Sequence, residues 1–380
     1  MTQARKHQFD PRNPPWIHAI SRCVRRAFLA GGKHEHRKSW VEERLRMLAG
    51  VFAVEVAGYA VMSNHLHVVL RLRPDVTLQW SAAEVVVRWW KAYPPQRLRD
   101  GTPVAPTAAQ INAQAGDAGW VALRRERLGN LGWLMKSLKE DLSRRANRED
   151  GCTGAFWEGR FTSVPLLDNA ALVACMAYVD LNPVRARVAA TPEDSLHTGG
   201  RVRIRARNRW VAAEKLRRRG RSKEEVGRLL EKVGLDRGAK DAEDGLWLMP
   251  VAGCCVGEEE AMAALAPGAP AARGPRGQAG ACRPGRLKPA LPGVDEYLEL
   301  LDATGRSLAK GKRGAIDPRL APILARLDLR VEDWLATMLG WRMLWGGSAI
   351  GSWASRRAEA ARRGLDWIRN RCPLFMERVA

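Results

Sequence analysis

The first half of the chain contains short apolar runs separated by polar turn residues, a pattern typical of β-strands. Four such runs predict strands at residues 16–24, within 54–64 together with the turn that ends it, and at 65–72 and 160–167. Ser63 and Asn64 are residue types that favour turns, so the second and third runs are expected to form a hairpin.

Apolar residues at helical spacing predict three helices around these strands, at residues 39–52, 130–147 and 168–182. Ser39 is the predicted N-cap of the first helix. The third helix is expected to begin after Asp168 and to end before Pro183. The resulting order of strands and helices predicts an α+β domain with a central antiparallel sheet and flanking helices.

Composition divides the chain into four predicted regions. These are the α+β domain at residues 1–200 with an insertion at 73–122, a basic helical arm at 201–250, a linker at 251–293 and a C-terminal module at 294–380. The linker is rich in Ala, Gly and Pro, which favours a flexible chain. The last region has helical periodicity and is expected to be a small all-α module.

The chain is strongly basic, with 63 Lys and Arg residues against 41 Asp and Glu residues and a formal net charge of +22. Such an excess favours a polyanionic partner, because Lys and Arg that displace counterions from phosphates drive nucleic-acid binding. Residues 201–223 contain eleven Lys or Arg and one Glu, which is typical of a solvated basic helix or of an arm that follows phosphates.

The cysteines and the N-terminus indicate the cellular compartment. Seven cysteines form no CxxC pair, so neither a disulfide framework nor a structural zinc site is indicated. The N-terminus is polar and charged, unlike a signal peptide, and no apolar run is long enough to span a membrane. We therefore expect a soluble cytoplasmic protein with no membrane partner.

Two histidines, His65 and His67, stand on either side of Leu66 in the third predicted strand. Side chains alternate along a strand, so both imidazoles share one face while Leu66 lies on the other. Such a pair can hold a metal ion or can be two ordinary polar side chains. A second pair, His34 and His36, lies among charged residues and is interpreted as a solvated loop.

The third predicted helix carries two polar side chains on one face. Tyr178 and Asn182 are four residues apart, so they lie together, whereas Asp180 lies about 200° round the helix from Tyr178. Nearly all of the remaining positions in this helix are apolar, which indicates a buried helix. Tyr178 and Asn182 can therefore form a site, or be a core tyrosine and an Asn-Pro helix stop.

Three motifs, SNHLHVV, FWEGRF and AYVDLNPVRA, together resemble the single-tyrosine (Y1) transposases of the HUH superfamily, in particular the REP-associated tyrosine transposases. The resemblance covers residues 14–195 and implies a ferredoxin-like HUH domain as the catalytic domain. It implies that Tyr178 is the nucleophile and that His65 and His67 bind a divalent metal ion, Mg²⁺ or Mn²⁺. Asn182 would be the third ligand, through its amide oxygen.

The implied activity is DNA transposition. The enzyme would cleave and rejoin single-stranded DNA through a 5′-phosphotyrosine intermediate, at hairpin sequences of the REP type, as a monomer or homodimer bound to the nucleoid. Three arginines are candidates for DNA binding near the scissile phosphate: Arg160, Arg185 and Arg187.

Other classes of protein share parts of this pattern. A sequence-specific DNA-binding protein derived from a transposase but without catalysis remains the main alternative. Relaxases and replication initiators share the chemistry, but they often carry a third histidine on the metal strand or a second tyrosine near the first. An amidohydrolase needs further histidines downstream, and only His197 follows His67.

Overall fold

The computed structural model describes residues 9–189, 191–232, 247–249, 294–308 and 349–368 of the 380-residue chain. Its strands are β1 (Trp16–Arg22), β2 (Val54–Val61), β3 (His65–Leu72) and β4 (Thr162–Leu166). Its helices are α1 (Arg37–Ala49), α2 (Pro74–Thr77), α3 (Ala82–Ala92), α4 (Ala108–Ala115), α5 (Ala118–Leu128), α6 (Leu131–Glu149), α7 (Asn169–Asp180), α8 (Asn182–Arg185), α9 (Gly199–Arg218), α10 (Lys223–Lys232), α11 (Val294–Leu308) and α12 (Trp353–Arg363). Within these ranges every helix is too short or too polar to cross a lipid bilayer.

The strands form one antiparallel sheet in the order β2-β3-β1-β4, with helices beside it. The hairpin between β2 and β3 is closed by the backbone N–H of Met62, which donates to the carbonyl of His65 at 2.8 Å. Strands β1 and β3 occupy the middle of the sheet, which explains why nearly all of their residues are buried. The predicted α+β class is confirmed.

The chain divides into two compact units. The first consists of Met1–Glu55, Val61–Leu66 and Leu70–Thr162, and the second of Val56–Ala60, His67–Val69 and Ser163–Ala380. In the first unit α1 packs against α6, and α5 contacts α2, α3, α4 and α6. In the second unit α7 packs against α8, α9 and α11, and α10 packs against α9.

Helix α7 lies in the core of the second unit, and all of its residues from Ala170 to Asp180 are buried. Its start follows from the sequence: Asp168 is the N-cap, and its Oδ1 accepts a hydrogen bond from the backbone N–H of Ala171 at 2.8 Å. The predicted N-cap is thus confirmed. The helix ends before the Asn182-Pro183 pair, where the short helix α8 begins.

Helix α1 begins two residues earlier than predicted, at Arg37, so the prediction of Ser39 as its N-cap is wrong. The N-cap is His36, whose side chain makes no capping bond, and the Ser39 hydroxyl donates to the carbonyl of His36 at 2.6 Å. The early start has a tertiary cause, because the buried Arg37 side chain binds the carboxylates of Glu149 and Asp150.

The predicted insertion contains regular structure that periodicity did not reveal. Helices α2, α3 and α4 and the first part of α5 lie within residues 73–122. Side chains cap the N-termini of three of these helices: Ser81 caps α3, Asp117 caps α5, and Thr107 forms a capping box with Gln110 at the start of α4.

The C-terminal half is described in part. The predicted linker, residues 251–293, lies outside the described residues. Of the predicted helical module, α11 packs against α7 and α9, and Ile350 forms a parallel bridge with Leu166 of β4. The predicted arm begins with α9 and continues with α10, and the predicted domain boundaries stay predictions.

Candidate active site

The rings of His67 and Tyr178 lie against each other within the second unit. Their centroids are 5.8 Å apart and their planes are perpendicular, so one ring presents its edge to the face of the other. His67 is fully buried and Tyr178 is 2% exposed. Two residues that the sequence assigned to one site, 111 positions apart in the chain, are therefore neighbours.

The alternation of side chains along β3 explains which face of the strand carries the imidazole of His67. Leu66, Val68 and Leu70 alternate on one face of the strand and are buried. His65 and His67 consequently share the opposite face, as the alternation of the strand requires. The half-buried His65 begins the strand, directly after the hairpin turn.

A hydrogen bond to the preceding residue, Asn64, fixes the orientation of His65. Its Nδ1 lies 2.7 Å from Oδ1 of Asn64, while Nδ2 of Asn64 donates to the carbonyl of Arg26 at 3.0 Å. Because the Asn64 nitrogen needs that carbonyl as its acceptor, its oxygen faces the ring, and Nδ1 of His65 carries the proton. The lone pair then lies on Nε2, which is how metal-binding histidines are commonly arranged.

The amide of Asn182 is oriented by the helix that precedes it. Its Nδ2 donates to the carbonyl of Tyr178 at 3.0 Å and lies 3.5 Å from the carbonyl of Val179. The side chain is buried, and since its nitrogen is bound within the helix, the oxygen is the atom that it can offer to a cation. The same bonds also serve the Asn-Pro helix stop.

The three candidate arginines differ in their surroundings. Arg185 is half-buried, and its Cζ lies 4.9 Å from the centroid of the Tyr178 ring, in a cation–π arrangement. Arg160 is exposed in the turn before β4. Arg187 is exposed just after α8 and has a left-handed backbone with φ of 56°. Of the three, Arg185 is the one whose positive charge lies beside the phenol of Tyr178.

A third imidazole, which the sequence reasoning missed, belongs to His18 in β1. His18 is fully buried, and burial together with the nearby His65 lowers its pKa from 6.5 to about 3. The signal in the sequence was a lone histidine in the apolar run WIHAISR. Its proximity to His65 depends on β1 pairing with β3 in the sheet, which the sequence does not specify.

Asp180 faces a different group of side chains from Tyr178. Its Oδ2 accepts a hydrogen bond from the hydroxyl of Tyr297 at 2.6 Å, and its Oδ1 accepts one from the backbone N–H of Gly200 at 2.8 Å. A Cβ at Gly200 would come within 3.0 Å of the Asp180 carboxyl carbon, so this close approach depends on glycine. Burial raises the pKa of Asp180.

His34 and His36 lie in the turn segment before α1 and are accessible to solvent, in line with the interpretation of a solvated loop, and they also take part in an ion-pair cluster. Nε2 of His36 lies 2.6 Å from Oε1 of Glu149, and ligand atoms of His34, Glu149 and Asp150 lie within 4.8 Å of one another. Arg37 binds both carboxylates, so this cluster is an ion-pair network that anchors α1. The sequence did not reveal it, because the two carboxylates come from the distant end of α6.

No family model, curated protein or solved structure matches this chain.

Proposed function

We propose that this protein is a metal-dependent DNA transposase that cleaves and rejoins single-stranded DNA through Tyr178. The observation that carries the proposal is the contact between the rings of His67 and Tyr178, 5.8 Å apart. The element order β1-α1-β2-β3-α6-β4, apart from the inserted helices, is that of a split βαβ or ferredoxin-like domain and supports an HUH fold. The motif resemblance supports the same assignment.

In the proposed reaction the hydroxyl oxygen of Tyr178 attacks the phosphorus of a DNA phosphodiester. The bond between phosphorus and the 3′-oxygen breaks, the phenol loses its proton, and the departing 3′-oxygen takes up a proton. The products are a 5′-phosphotyrosine on Tyr178 and a free 3′-hydroxyl. Attack by the 3′-hydroxyl of another strand reverses these steps and rejoins DNA, because the phosphotyrosine bond replaces one phosphate ester by another.

The chemistry of the proposed ligands suits a divalent cation. His65 would offer Nε2, because Asn64 holds the proton on Nδ1, and His67 and the oxygen of Asn182 would complete a set of two nitrogens and one oxygen that suits Mn²⁺ or Mg²⁺. Such a cation, when bound, polarises the scissile phosphate and stabilises charge on the departing oxygen. The guanidinium of Arg185 places a further positive charge beside the phenol.

The substrate that we propose is single-stranded DNA that folds into a hairpin. The formal net charge of +22 suits a polyanion, and the electrostatic part of the affinity would come from arginines such as Arg160 and Arg187, which are exposed. Hairpin recognition follows from the motif resemblance, as does the proposal of a monomer or homodimer.

A second candidate function is sequence-specific DNA binding without catalysis. The observation that favours it is the burial of Tyr178, which is 2% exposed, because a nucleophile must meet a phosphate. Under the transposase proposal, α7 or the residues over Tyr178 move when DNA binds. Under the second candidate, α7 and the residues over Tyr178 stay in place, and DNA binds only to the cationic surface.

Incubation with Mn²⁺ and a hairpin oligonucleotide separates the two candidates. The 5′-phosphotyrosine keeps the 3′ part of the strand on the protein, so a 3′-labelled oligonucleotide should give a labelled covalent adduct and a 5′-labelled one a shorter free product. Tyr178→Phe should abolish the adduct. Tyr93→Phe is the matched control, since Tyr93 stacks on Trp89 at 4.7 Å and has no proposed role. An adduct that persists in Tyr178→Phe contradicts the proposal, and specific binding without any adduct supports the second candidate.

A further inference from the structure

Three helices of the first unit, α3, α5 and α6, carry a group of tryptophans interleaved with cationic side chains. We name it the tryptophan–arginine surface, and it consists of Trp90, Trp120, Trp133, Arg124, Arg127 and Lys136. The three indoles and the two arginines are half-buried, and Lys136 is exposed, so each side chain retains a solvent-accessible part.

The cations lie over the indole rings. Cζ of Arg124 is 4.5 Å from the centroid of the Trp120 ring, and Cζ of Arg127 is 4.2 Å from that of Trp133. Nζ of Lys136 is 4.6 Å from the same Trp133 ring. Helical spacing produces two of these contacts, because Trp120 and Arg124 are four residues apart and Trp133 and Lys136 three. The third contact, between Arg127 of α5 and Trp133 of α6, comes from the packing of these two helices. The positive charges are therefore held in fixed positions on an aromatic base.

These cations lie outside direct ion pairs, although the carboxylate of Asp117 lies close enough to Arg124 to raise its pKa somewhat against burial and Arg127. Among the described residues, none of Arg124, Arg127 and Lys136 forms an ion pair with a carboxylate. The neighbouring arginines differ: Arg88 pairs with Glu84 at 2.8 Å, and Arg125 donates to the backbone carbonyl of Trp80 at 2.7 Å. Arg88 and Arg125 thus have polar partners for their charged groups, whereas the charged groups of Arg124 and Arg127 lie over indole rings.

The arrangement also carries an electrostatic cost. Burial and the neighbouring Arg127 lower the pKa of Arg124, since two like charges lie close together in a partly desolvated place. An anion that binds between these side chains would relieve the repulsion. Half-exposed indoles beside them offer flat apolar faces, so a ligand that combines negative charges with flat rings fits both features.

We infer that the tryptophan–arginine surface binds an extended segment of single-stranded DNA. Arg124, Arg127 and Lys136 would contact successive phosphates, while unpaired bases stack on the indoles and on the guanidinium planes. A duplex hides its base faces and fits less well. The choice of DNA rather than RNA rests on the proposed function, whereas binding of a single strand follows from the surface itself.

The test measures binding in a Tyr178→Phe background, so that no covalent step contributes. Fluorescence anisotropy with a labelled oligothymidylate gives the affinity at several salt concentrations. Arg124→Gln with Arg127→Gln should weaken binding about tenfold or more and lower the slope of log affinity against log salt by about 1.4, which corresponds to two phosphate contacts. Arg144→Gln is the matched control, because Arg144 is exposed and pairs with Glu140 in the same unit. The control should bind like the parent protein.

A second pair of measurements isolates stacking. Trp133→Leu should weaken binding of the oligothymidylate about tenfold, and an abasic oligomer of equal length and charge should bind more weakly than oligothymidylate to the parent protein. Circular dichroism checks that the tryptophan variant is folded, and the arginine variants remain informative if it is not.

Several outcomes overturn the inference. These are an unchanged affinity in the double arginine variant, equal binding of the abasic oligomer, equal or tighter binding of duplex DNA, and tighter binding of an RNA or an acidic peptide. If the unaltered protein forms no covalent adduct with DNA, the proposed function fails but this inference stands, because the binding assay does not use Tyr178. Conversely, adduct formation at saturating DNA in the double arginine variant leaves the proposed function standing.

Discussion

The hydroxyl of Tyr297 donates a hydrogen bond to the carboxylate of Asp180, 2.6 Å away, across 117 positions of sequence. Both side chains are buried, and the contact ties α11 to α7. Nη2 of Arg203 donates to the carbonyls of Ala57 and Met249, and its charge lowers the pKa of Asp180 against the effect of burial. The helix that carries Tyr178 is thus held by a polar network on its other side.

Removal of the Tyr297 hydroxyl should destabilise the protein. In Tyr297→Phe the buried carboxylate of Asp180 loses a donor, and a hydrogen bond to a charged group contributes about 1.5–3 kcal/mol to the free energy of unfolding. Urea unfolding followed by circular dichroism measures this loss. Tyr93→Phe is the matched control, since its partly buried hydroxyl bonds the neutral Ser137 at 2.5 Å and should cost about 1 kcal/mol. Equal losses in both variants would contradict the special role of Asp180.

Asn64 should control the affinity of His65 for a metal ion. Asn64→Leu removes the acceptor of the Nδ1 proton, so the ring is no longer held in the tautomer that leaves Nε2 free, and the apparent affinity for Mn²⁺ should fall about tenfold. Electron paramagnetic resonance of free Mn²⁺ during a titration gives that affinity without any DNA. Asn64→Asp keeps an acceptor for the ring and should retain most of the affinity. An unchanged affinity in the leucine variant would rule out this positioning role.

The Arg37 network should make stability depend on acid pH. The hydrogen bond from Arg37 is the main reason why the pKa of Asp150 lies below its usual value. A carboxyl whose pKa is lower in the folded than in the unfolded state stabilises the fold above its unfolded pKa, and this contribution is lost as the pH falls through the folded value. The free energy of unfolding should therefore begin to fall as the pH approaches about 4, the pKa of an unfolded aspartate, and should continue to fall as the pH drops through the lower folded value.

Asp150→Asn tests this assignment. The variant should be less stable than the unaltered protein at about pH 6 and should lose less stability on acidification, because it has no such carboxyl to protonate. Asp141→Asn is the control: Asp141 is exposed and lies 3.9 Å from Arg44, so its profile should follow that of the unaltered protein. Parallel profiles for all three proteins would show that Asp150 does not contribute.

The parts of the fold that the sequence predicts are those with local causes. Strand β3 begins at His65 and ends at Leu72 as predicted, because the turn at Asn64 sets its start and the apolar positions continue to Leu72. Helix α7 begins after Asp168 because one carboxylate caps it. The start of α1 depends instead on Glu149 and Asp150, which are more than a hundred residues away, and periodicity near Ser39 cannot reveal that.

The same division holds for the candidate site. That His65 and His67 share a face follows from alternation along one strand, and that Asn182 follows Tyr178 by one turn follows from helix geometry. The position of His18 near His65 depends on the pairing of β1 with β3 in the sheet. That pairing is a tertiary contact, which the local sequence pattern of either strand does not specify. The hydrogen bond between Asp180 and Tyr297 could not be predicted for the same reason, because the two residues are 117 positions apart in the chain and only the tertiary fold brings them together.

In the proposed reaction the phenol oxygen of Tyr178 becomes covalently bound to DNA. Tandem mass spectrometry of the protein tests this directly, after reaction with Mn²⁺ and a hairpin oligonucleotide, nuclease trimming and proteolysis. The peptide containing AYVDLNPVR should carry a nucleotide attached through phosphate to Tyr178. A nucleotide on a different residue, or an unmodified Tyr178 in a sample that has cleaved DNA, would contradict the proposed reaction.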